Sequence, residues 1–416
     1  MTGTGAHRTP DTDGAEHVRR EDGGGDVRGG AGASGGSGDP GGPPEPGGSP
    51  TSAAAPAAAG VVAEVADVVA LGESMVTFLP TRPGRLADVP SFERAVGGAE
   101  SNVACMLAAA GHTVRWVSRV GADGFGDHLL DTIAAHGVDV TAVPRDARRP
   151  TGVYFRTAGE RGTAAHEVAY YRAGSAASAM SSRTVDATAV RSTRILHLTG
   201  ITAALSAPCL ELLRDLTRPR PGRPLVSFDV NHRPELWREG DGARVLLELA
   251  RAADIVFVGA DEAGAAWGLH GSRAVAEALP QPRTVVVKLG RGGAIAFDRH
   301  PGTAADADGT ATAEATAETT PERPPHVRVV AAAGAGDAFA AGFLSAALRG
   351  LPPRQRLRHG HLWAAAALTA PGDLAAPPAR DRADRLAALD DTAWGTLRLG
   401  PGWTHDPGPQ EEARTP

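Results

Sequence analysis

Short apolar runs alternate with segments of helical spacing from residue 67 onward. Apolar runs that glycine bounds are typical of buried strands, and strands that alternate with helices predict a mostly parallel sheet covered on both faces. The predicted fold class is therefore α/β. The predicted strands lie at residues 67–73, 114–120, 194–200, 225–231, 254–260, 283–290 and 293–298. The predicted helices lie at residues 101–110, 124–137, 209–217, 243–253, 337–350 and 357–370.

Two segments break this alternation. Residues 75–95 and 151–172, the second of which contains "TGVYFRT" and "HEVAYYR", alternate apolar and polar positions. This pattern is typical of antiparallel strands with one face exposed to solvent. We expect a small β-sheet that projects from the main domain, and we interpret it as a lid.

Composition divides the chain further. Residues 1–65 are mostly Gly, Pro, Ala, Ser, Asp and Arg, and no aromatic residue precedes Phe78. Such a segment cannot bury enough apolar surface to offset the entropy of ordering it, so we expect a disordered extension. A start site assigned too far upstream would give the same pattern. One folded domain is expected over residues 66–395, with a flexible low-complexity insertion at 301–325 and a flexible tail at 396–416.

Charge and cysteine content exclude several classes of protein. The formal charge is −6, and no basic stripe with interleaved aromatic residues indicates a nucleic-acid partner. No apolar run reaches the length of a membrane span, and the N-terminal composition fits neither a signal peptide nor a transit peptide. Cys105 and Cys209 form neither a disulfide framework nor a metal-ligand spacing. We expect a cytoplasmic protein with two buried thiols and no membrane partner.

Residue usage also ranks the candidate residues. Lys288 is the only lysine, and Asn102 and Asn231 are the only asparagines, in a chain rich in Ala, Gly and Arg. Runs of alanine and glycine are background in such a chain, whereas a lysine or an asparagine is less easily accidental. These three residues therefore gain weight as functional candidates.

The segment "AAAGAGDAFAAGF" (331–343) places a glycine pair before a predicted helix. Gly334, Ala335 and Gly336 would let backbone N–H groups approach an anion at a helix N-terminus, where the helix dipole favours negative charge. Asp337 is either a helix cap or a base. A carboxylate at an anion site favours the second interpretation, because in phosphoryl transfer an aspartate can accept the proton of the attacking hydroxyl.

A second glycine pair lies in "GGAESNVACMLAAAG" (97–111). Gly98 and Asn102 belong either to a loop that caps a helix or to a close-approach loop whose amide holds sugar hydroxyls. The spacing alone leaves both interpretations open.

Two further segments follow predicted strands at the edge where open α/β sheets bind ligands. Asn231 and Arg233 follow "LVSFDV", and Arg233 is either a surface charge or a clamp for a carboxylate or phosphate. Lys288, Gly290 and Gly293 belong to "KLGRGGA", a turn that contacts a nucleotide or only closes a hairpin. No Walker pattern occurs in the chain.

In this order the motifs resemble the ribokinase-like (PfkB) carbohydrate kinase family, from about Val68 to Pro378. The resemblance rests on "GGAESNVA…G…VSRVGADGFGDHLL…GVDV" and "GAGDAFAAGF". Within the family, "GESMVTFLP", "TGVYFR", "YYRAGSAAS", "HLTGITAALS" and "DVNHRPELW" are most similar to 2-keto-3-deoxygluconate kinases. The resemblance implies a three-layer ribokinase-like fold with a β-sheet lid. It also implies ATP-dependent, Mg²⁺-assisted phosphorylation of a hydroxyl on a sugar or sugar acid.

The resemblance further implies roles for individual residues. Asp337 would be the general base, and the amides of Gly334, Ala335 and Gly336 would form an anion hole. Arg156 would pair with the carboxylate of a sugar acid, and the closed lid would exclude water. The implied substrate-binding set is Gly98, Asn102, Tyr154, Arg156 and Asp373, and the implied nucleotide-binding set is Asn231, Arg233, Lys288, Gly290 and Gly293.

The chain departs from the family pattern near the nucleotide. Ala331 replaces an acidic residue of the monovalent-cation site, which puts activation by potassium in doubt. In the Asn-x-x-Glu motif, Gly259 replaces the asparagine and Glu262 remains, as an indirect participant in Mg²⁺ binding. His361 stands where an asparagine often lies near the adenine.

Three hypotheses therefore remain. The first is a 2-keto-3-deoxygluconate kinase, and the second is a fructokinase or a ribokinase-type enzyme. The third is a catalytically weakened family member that binds a sugar acid. The family resemblance also implies a possible homo-oligomer formed through the lid sheets.

Overall fold

A central sheet of eight strands organises the chain, as the computed structural model shows. The structure describes residues 65–157, 167–237, 240–299, 317–372 and 374–405. The strands are β1 (Ala66–Leu71), β2 (Met75–Pro80), β3 (Phe92–Gly97), β4 (Val114–Val117), β5 (Val120–Gly121), β6 (Arg145–Asp146), β7 (Val153–Arg156), β8 (Val168–Tyr171), β9 (Thr193–Thr199), β10 (Leu225–Asp229), β11 (Ile255–Gly259), β12 (Thr284–Lys288), β13 (Ala294–Arg299), β14 (Ala317–Glu322), β15 (His326–Val327) and β16 (Arg398–Leu399).

Helices cover both faces of this sheet. They are α1 (Ala99–Ala109), α2 (Gly124–Ala135), α3 (Ala187–Arg191), α4 (Gly200–Ala204), α5 (Ala207–Thr217), α6 (Gly242–Ala252), α7 (Ala260–Trp267), α8 (Ser272–Ala278), α9 (Ala335–Leu348), α10 (Pro353–Leu368), α11 (Arg380–Ala387) and α12 (Asp391–Thr396). Short 3₁₀ turns lie at Ala177–Ala179, Pro234–Leu236 and Gly290–Gly292.

The strand order in the main sheet is β14-β13-β12-β11-β10-β9-β1-β4. The strands from β4 to β12 pair in parallel, and β13 and β14 add antiparallel at one edge. Successive side chains of a strand point to opposite faces. In β1, Val68 and Ala70 belong to the core beneath α1, α9 and α10, whereas Val69 and Leu71 belong to the core beneath α5, α6 and α8. The predicted α/β fold with a covered, mostly parallel sheet is confirmed.

The predicted small sheet is also present, in the order β3-β2-β7-β8. The pairs β2–β3 and β7–β8 are antiparallel, as the alternating pattern predicts. The central pair β2–β7 is parallel, which corrects the expectation of antiparallel strands throughout. Two hairpins build the sheet, and the long chain between them, which includes α1 and α2, returns the second hairpin in the same direction as β2.

Two segments predicted to be flexible contain strands instead. β14 lies within the predicted insertion 301–325 and pairs with β13 from Ala294↔Glu322 to Arg299↔Ala317. β16 lies within the predicted tail 396–416 and pairs with β15, while Trp403 after it is buried. The polar composition of β14 gives no sequence signal for a strand. An edge strand of this kind is held chiefly by backbone hydrogen bonds, which do not require apolar side chains. Residues 1–64, 300–316 and 406–416 lie outside the described part of the chain.

The helices of the described segments bear on one further expectation. None of them is long and apolar enough to cross a membrane.

Candidate active site

The N-terminus of α9 forms the floor of the candidate site. Gly334 has φ 72°, in the left-handed region that favours glycine, and the backbone of Ala338 donates to its carbonyl at 2.9 Å. The helix then begins at Ala335. Because the first N–H groups of a helix have no acceptor within it, the amides of Ala335, Gly336 and Asp337 are available to an anion.

Asp337 lies in this first turn and contacts the second glycine motif. The Nδ2 atom of Asn102, in the first turn of α1, donates to Oδ2 of Asp337 at 2.8 Å. Burial raises the pKa of Asp337 to about 7, against the opposing effects of the Asn102 hydrogen bond and of Lys288 and Arg233, while Asp229 adds to the increase. A carboxylate with this pKa is suited to accept a proton near neutral pH.

The only lysine of the chain lies beside this helix turn. The Nζ atom of Lys288, at the end of β12, contacts both carboxylate oxygens of Asp229, at 2.9 and 3.1 Å. The same Nζ lies 3.7 Å from the position that a Cβ on Gly336 would occupy. Burial lowers the pKa of Lys288, but the carboxylates of Asp229, Glu262 and Asp337 outweigh it and raise that pKa, so the ammonium is charged.

Asn231 and Arg233 follow β10 at the same edge of the sheet. Asn231 has φ 40° and is the only non-glycine residue of the described chain with a positive φ. Such a conformation costs energy and clusters at functional sites. The Oδ1 atom of Asn231 is buried and has no hydrogen-bond partner among the described residues.

Arg233 and Glu262 connect this loop to α7. The Nη1 atom of Arg233 donates to the carbonyl of His232 at 2.8 Å and contacts Oε1 of Glu262 at 3.4 Å. Oε2 of Glu262 accepts from the backbone of Gly259 at 2.7 Å. Both oxygens of Glu262 are therefore engaged by protein groups.

The predicted glycines divide by their surroundings. A Cβ on Gly98 would lie 2.5 Å from Oγ of Ser74 and 2.7 Å from the carbonyl of Glu73. A Cβ on Gly293, where φ is 98°, would lie 2.2 Å from the carbonyl of Glu322. Close packing within the protein explains both glycines without a ligand. Gly290 has φ 56° and open space around it, so its turn is accessible.

The lid strand β7 carries Tyr154 and Arg156. Tyr154 is buried, with its ring centroid 5.5 Å from that of Tyr170 on β8. Arg156 is half-buried on the same strand. The structure therefore groups these two residues in the small sheet, as predicted. Asp373, the fifth predicted substrate contact, lies outside the described residues.

The positions that depart from the family pattern hold no substitute acids. The backbone N–H of Ala331 is directed at the carbonyl of Leu368, at 3.3 Å. His361 packs its ring against Phe339 and contacts the carbonyl of Glu322 at 3.2 Å; burial lowers the pKa of His361 to about 4, so the ring is neutral. Over the described segments, no group of three His, Cys, Asp or Glu residues is arranged to hold a metal.

Sequence reasoning missed three acidic residues of this region. Asp229 is the partner of Lys288, and its position as the charged last residue of a buried, mostly apolar strand is a signal that would have found it. Glu100 is fully buried, and its Oε1 accepts from the hydroxyls of Thr199 and Thr202 at 2.7 Å each. Glu73 is buried and pairs with Arg172 at the root of the lid. Neither glutamate has a comparable signal, because Glu73 follows Gly72 just after β1 and Glu100 lies in the first turn of α1, and neither ends an apolar run.

A covered, mostly parallel α/β sheet with a small additional β-sheet is the architecture of the ribokinase-like fold. Residues 65–380 match the pfkB family of carbohydrate kinases, and the chain belongs to this family. It is therefore a carbohydrate kinase, which transfers a phosphoryl group to an alcohol.

Two relatives and one solved structure are similar to most of the chain. The chain is 33% identical over 324 residues to the 2-dehydro-3-deoxygluconokinase of Bacillus subtilis, covering 76% of this chain and 94% of the relative. It is 32% identical over 326 residues to the enzyme of the same name from Thermoproteus tenax, covering 77% and 93%. Its fold matches the crystal structure of a PfkB protein from Polaromonas sp. JS666 with a TM-score of 0.64 at 34% identity, covering 78% of this chain and 100% of that one.

Proposed function

We propose that this kinase transfers the γ-phosphoryl group of ATP to a hydroxyl of 2-dehydro-3-deoxygluconate, which is also called 2-keto-3-deoxygluconate. The observation that carries the proposal is the contact of Asn102 with Asp337 at the N-terminus of α9, beside Lys288. This arrangement brings a base, an anion-binding helix turn and a fixed positive charge together. The substrate is taken from the two relatives of that name.

Asp337 would act as the general base. Its ionised carboxylate accepts the proton of the substrate hydroxyl as that oxygen attacks the phosphorus. Asn102 holds the carboxylate through Nδ2, and its own Oδ1 is buried without a hydrogen-bond partner among the described residues. A hydroxyl of the sugar acid could donate a hydrogen bond to this Oδ1.

The amides of Gly334, Ala335 and Gly336 would receive the charge that develops on the transferred group. Gly334 is the N-cap of α9, and Ala335 and Gly336 lie in its first turn, so these donors are fixed before the reaction and require little reorganisation during transfer. Lys288 and Arg233 add positive charge on the same side, and the open turn at Gly290 leaves room for a nucleotide. Closure of the small sheet would exclude water, which competes with the sugar hydroxyl for the phosphoryl group.

Mg²⁺ fits this site as an ion held mainly by the phosphates of ATP and by water. Glu262 is engaged by Gly259 and Arg233, and the buried Oδ1 of Asn231 has no hydrogen-bond partner among the described residues. Mg²⁺ prefers such oxygen ligands and commonly keeps several waters. When bound, it would offset the negative charge of the phosphates. A monovalent cation is not part of the proposal, because Ala331 supplies no carboxylate.

An acidic substrate is supported by two arginines. Arg156 lies on the lid strand and Arg233 at the strand end beside Lys288, and a guanidinium binds a carboxylate through two parallel hydrogen bonds. A fructokinase or ribokinase-type enzyme has no carboxylate to bind. We therefore rank these two activities second.

A coupled ATP-turnover assay tests the proposal. The panel contains 2-dehydro-3-deoxygluconate, fructose and ribose, with Asp337→Asn as the control for catalysis. The sugar acid should give the highest kcat/KM. A preference for fructose or ribose would overturn the substrate, and equal turnover by the Asn variant would overturn the role of Asp337.

The altered residues at 259 and 331 favour one second candidate, a weakened enzyme that binds a sugar acid. Losing one preorganised electrostatic partner reduces a rate about 100- to 1000-fold, so altered phosphate and cation positions are compatible with slow turnover. Tight binding of the sugar acid by calorimetry, without turnover of any member of the panel, would support this candidate.

We also propose a cytoplasmic location and a homo-oligomer that pairs the small sheets of two copies. Tyr170 and Tyr171, on the edge strand β8, are 48% and 66% exposed and give that edge an apolar surface. Sedimentation of the wild type and of Tyr171→Lys tests the pairing, and an unchanged sedimentation coefficient would contradict it.

A further inference from the structure

A cavity of about 600 Å³ opens at the root of the small sheet. Its walls include Arg119, Asp146, Arg148, Arg149, Gly174 and Thr184. None of these residues belongs to the candidate active site described above. The cavity is thus a separate feature of the fold, and the kinase reaction does not explain it.

The charge of this cavity is not balanced. Asp146 is its only acidic wall residue, and Oδ2 of Asp146 accepts from Nε of Arg119 at 2.9 Å. Oδ1 accepts from the backbone of Arg148 at 2.9 Å. The side chains of Arg148 and Arg149 are exposed, and in the described part of the chain neither pairs with a carboxylate. Two guanidinium groups therefore remain for an anion.

The cavity lies where the second lid hairpin joins the main domain. Arg148 and Arg149 belong to the loop that leads into β7, and Gly174 belongs to the loop that follows β8. Arg149 donates to the carbonyl of Gly174 at 3.3 Å. The backbone of Ala176 donates to the carbonyl of Pro150 at 2.8 Å, so the two loops are already held together. This contact gives the cavity a fixed wall on both sides.

We propose that this cavity is a binding site for a phosphorylated small molecule of about the size of a sugar phosphate, with Arg148 and Arg149 as the residues that hold the phosphate. Ligand sites commonly span about 300 to 1,000 Å³, and guanidinium groups match a phosphate through paired hydrogen bonds. A concave surface lined by unbalanced positive charge also concentrates anions. Three of the seven wall residues are arginines, against one aspartate, which favours a phosphorylated ligand over an uncharged one.

Isothermal titration calorimetry with fructose 1,6-bisphosphate tests this site in the full chain. The nucleotide site is saturated with a non-hydrolysable ATP analogue, at 150 mM salt, so that the anion-binding turn of α9 is occupied. The wild type should bind one ligand per chain. The double variant Arg148→Ala/Arg149→Ala should bind at least about 100-fold more weakly, because it loses the charged hydrogen bonds of both guanidinium groups to the phosphate.

Arg145→Ala is the matched control. Arg145 is also exposed in this part of the chain, but it pairs with Asp127 and does not line the cavity. Its variant should bind as the wild type does. Thermal unfolding of both variants checks that the exposed substitutions leave the fold intact. The proposal is overturned if the wild type does not bind, if the double variant keeps wild-type affinity, or if Arg145→Ala loses as much affinity as the double variant.

Discussion

The two sides of the proposed active site differ in how their polar atoms are used. On the proposed acceptor side, which we define as Asn102, Asp337 and strand β7, the carboxylate of Asp337 accepts a hydrogen bond from Asn102, and Oδ1 of Asn102 has no partner among the described residues. On the nucleotide side, defined as Arg233, Gly259 and Glu262, both oxygens of the glutamate are engaged by protein groups. Each side keeps one buried amide oxygen without a partner among the described residues, Oδ1 of Asn102 and Oδ1 of Asn231, but the carboxylate of Asp337 accepts from one side chain, whereas that of Glu262 is engaged at both oxygens. We expect substitutions to affect the acceptor side more strongly.

The largest expected effect comes from Asp337→Asn. Because the amide cannot accept the proton of the attacking hydroxyl, kcat should fall by about 100- to 10,000-fold, the usual contribution of a general base. Binding of the sugar acid, measured by calorimetry, should change little. A kcat within a few-fold of the wild type would show that the carboxylate only caps the helix.

Arg156→Ala should separate sugar acids from neutral sugars. Loss of a charged hydrogen bond costs roughly 1.5–3 kcal/mol, so kcat/KM for 2-dehydro-3-deoxygluconate should fall about 10- to 150-fold. The value for fructose should stay close to that of the wild type. Arg94→Ala, on exposed lid strand β3, is the control and should leave both substrates unaffected. An equal fall in kcat/KM for the sugar acid and for fructose would mean that Arg156 supports the small sheet and does not bind the carboxylate.

Ala331→Asp tests the nucleotide side and has the smallest expected effect. Potassium should raise the rate of the wild type by less than about twofold, which corresponds to ~0.4 kcal/mol. The reason is that Ala331 offers no carboxylate to a cation. The variant restores a carboxylate and should gain a response. Steady-state rates in potassium and in tetramethylammonium buffers measure it. Strong potassium activation of the wild type would contradict our account of this side.

Much of the fold is predictable because its strands are buried on both faces. The apolar runs that form β1, β9, β10, β11 and β12 belong to a parallel sheet. Because helices cover both faces of such a sheet, its strands are nearly continuous apolar runs that are visible in the sequence. β14 escaped prediction because its residues are polar and its pairing depends on β13. β16, in the predicted tail, was not predicted for a similar reason. It pairs with β15, which is more than 70 residues away in the chain.

The candidate site was predictable at residues that belong to a recognisable sequence motif. Glycines mark the turn before Asp337, and the scarcity of asparagine singled out Asn102. Asp229 and Glu100 were missed because their partners, Lys288 and the hydroxyls of Thr199 and Thr202, are distant in sequence. Gly98 and Gly293 show the opposite case. Their motifs are clear, but packing against Ser74 and Glu322 explains the glycines without a ligand.

The pH dependence of kcat/KM tests the central claim most directly. Burial raises the pKa of Asp337 to about 7, and the base must be ionised, so kcat/KM for 2-dehydro-3-deoxygluconate should fall about tenfold per unit below that pH. The hydrogen bond from Asn102 lowers the same pKa, so Asn102→Ala should move the midpoint to higher pH. A profile that is flat from pH 5 to 8, or a midpoint that does not rise in Asn102→Ala, would contradict Asp337 as the general base.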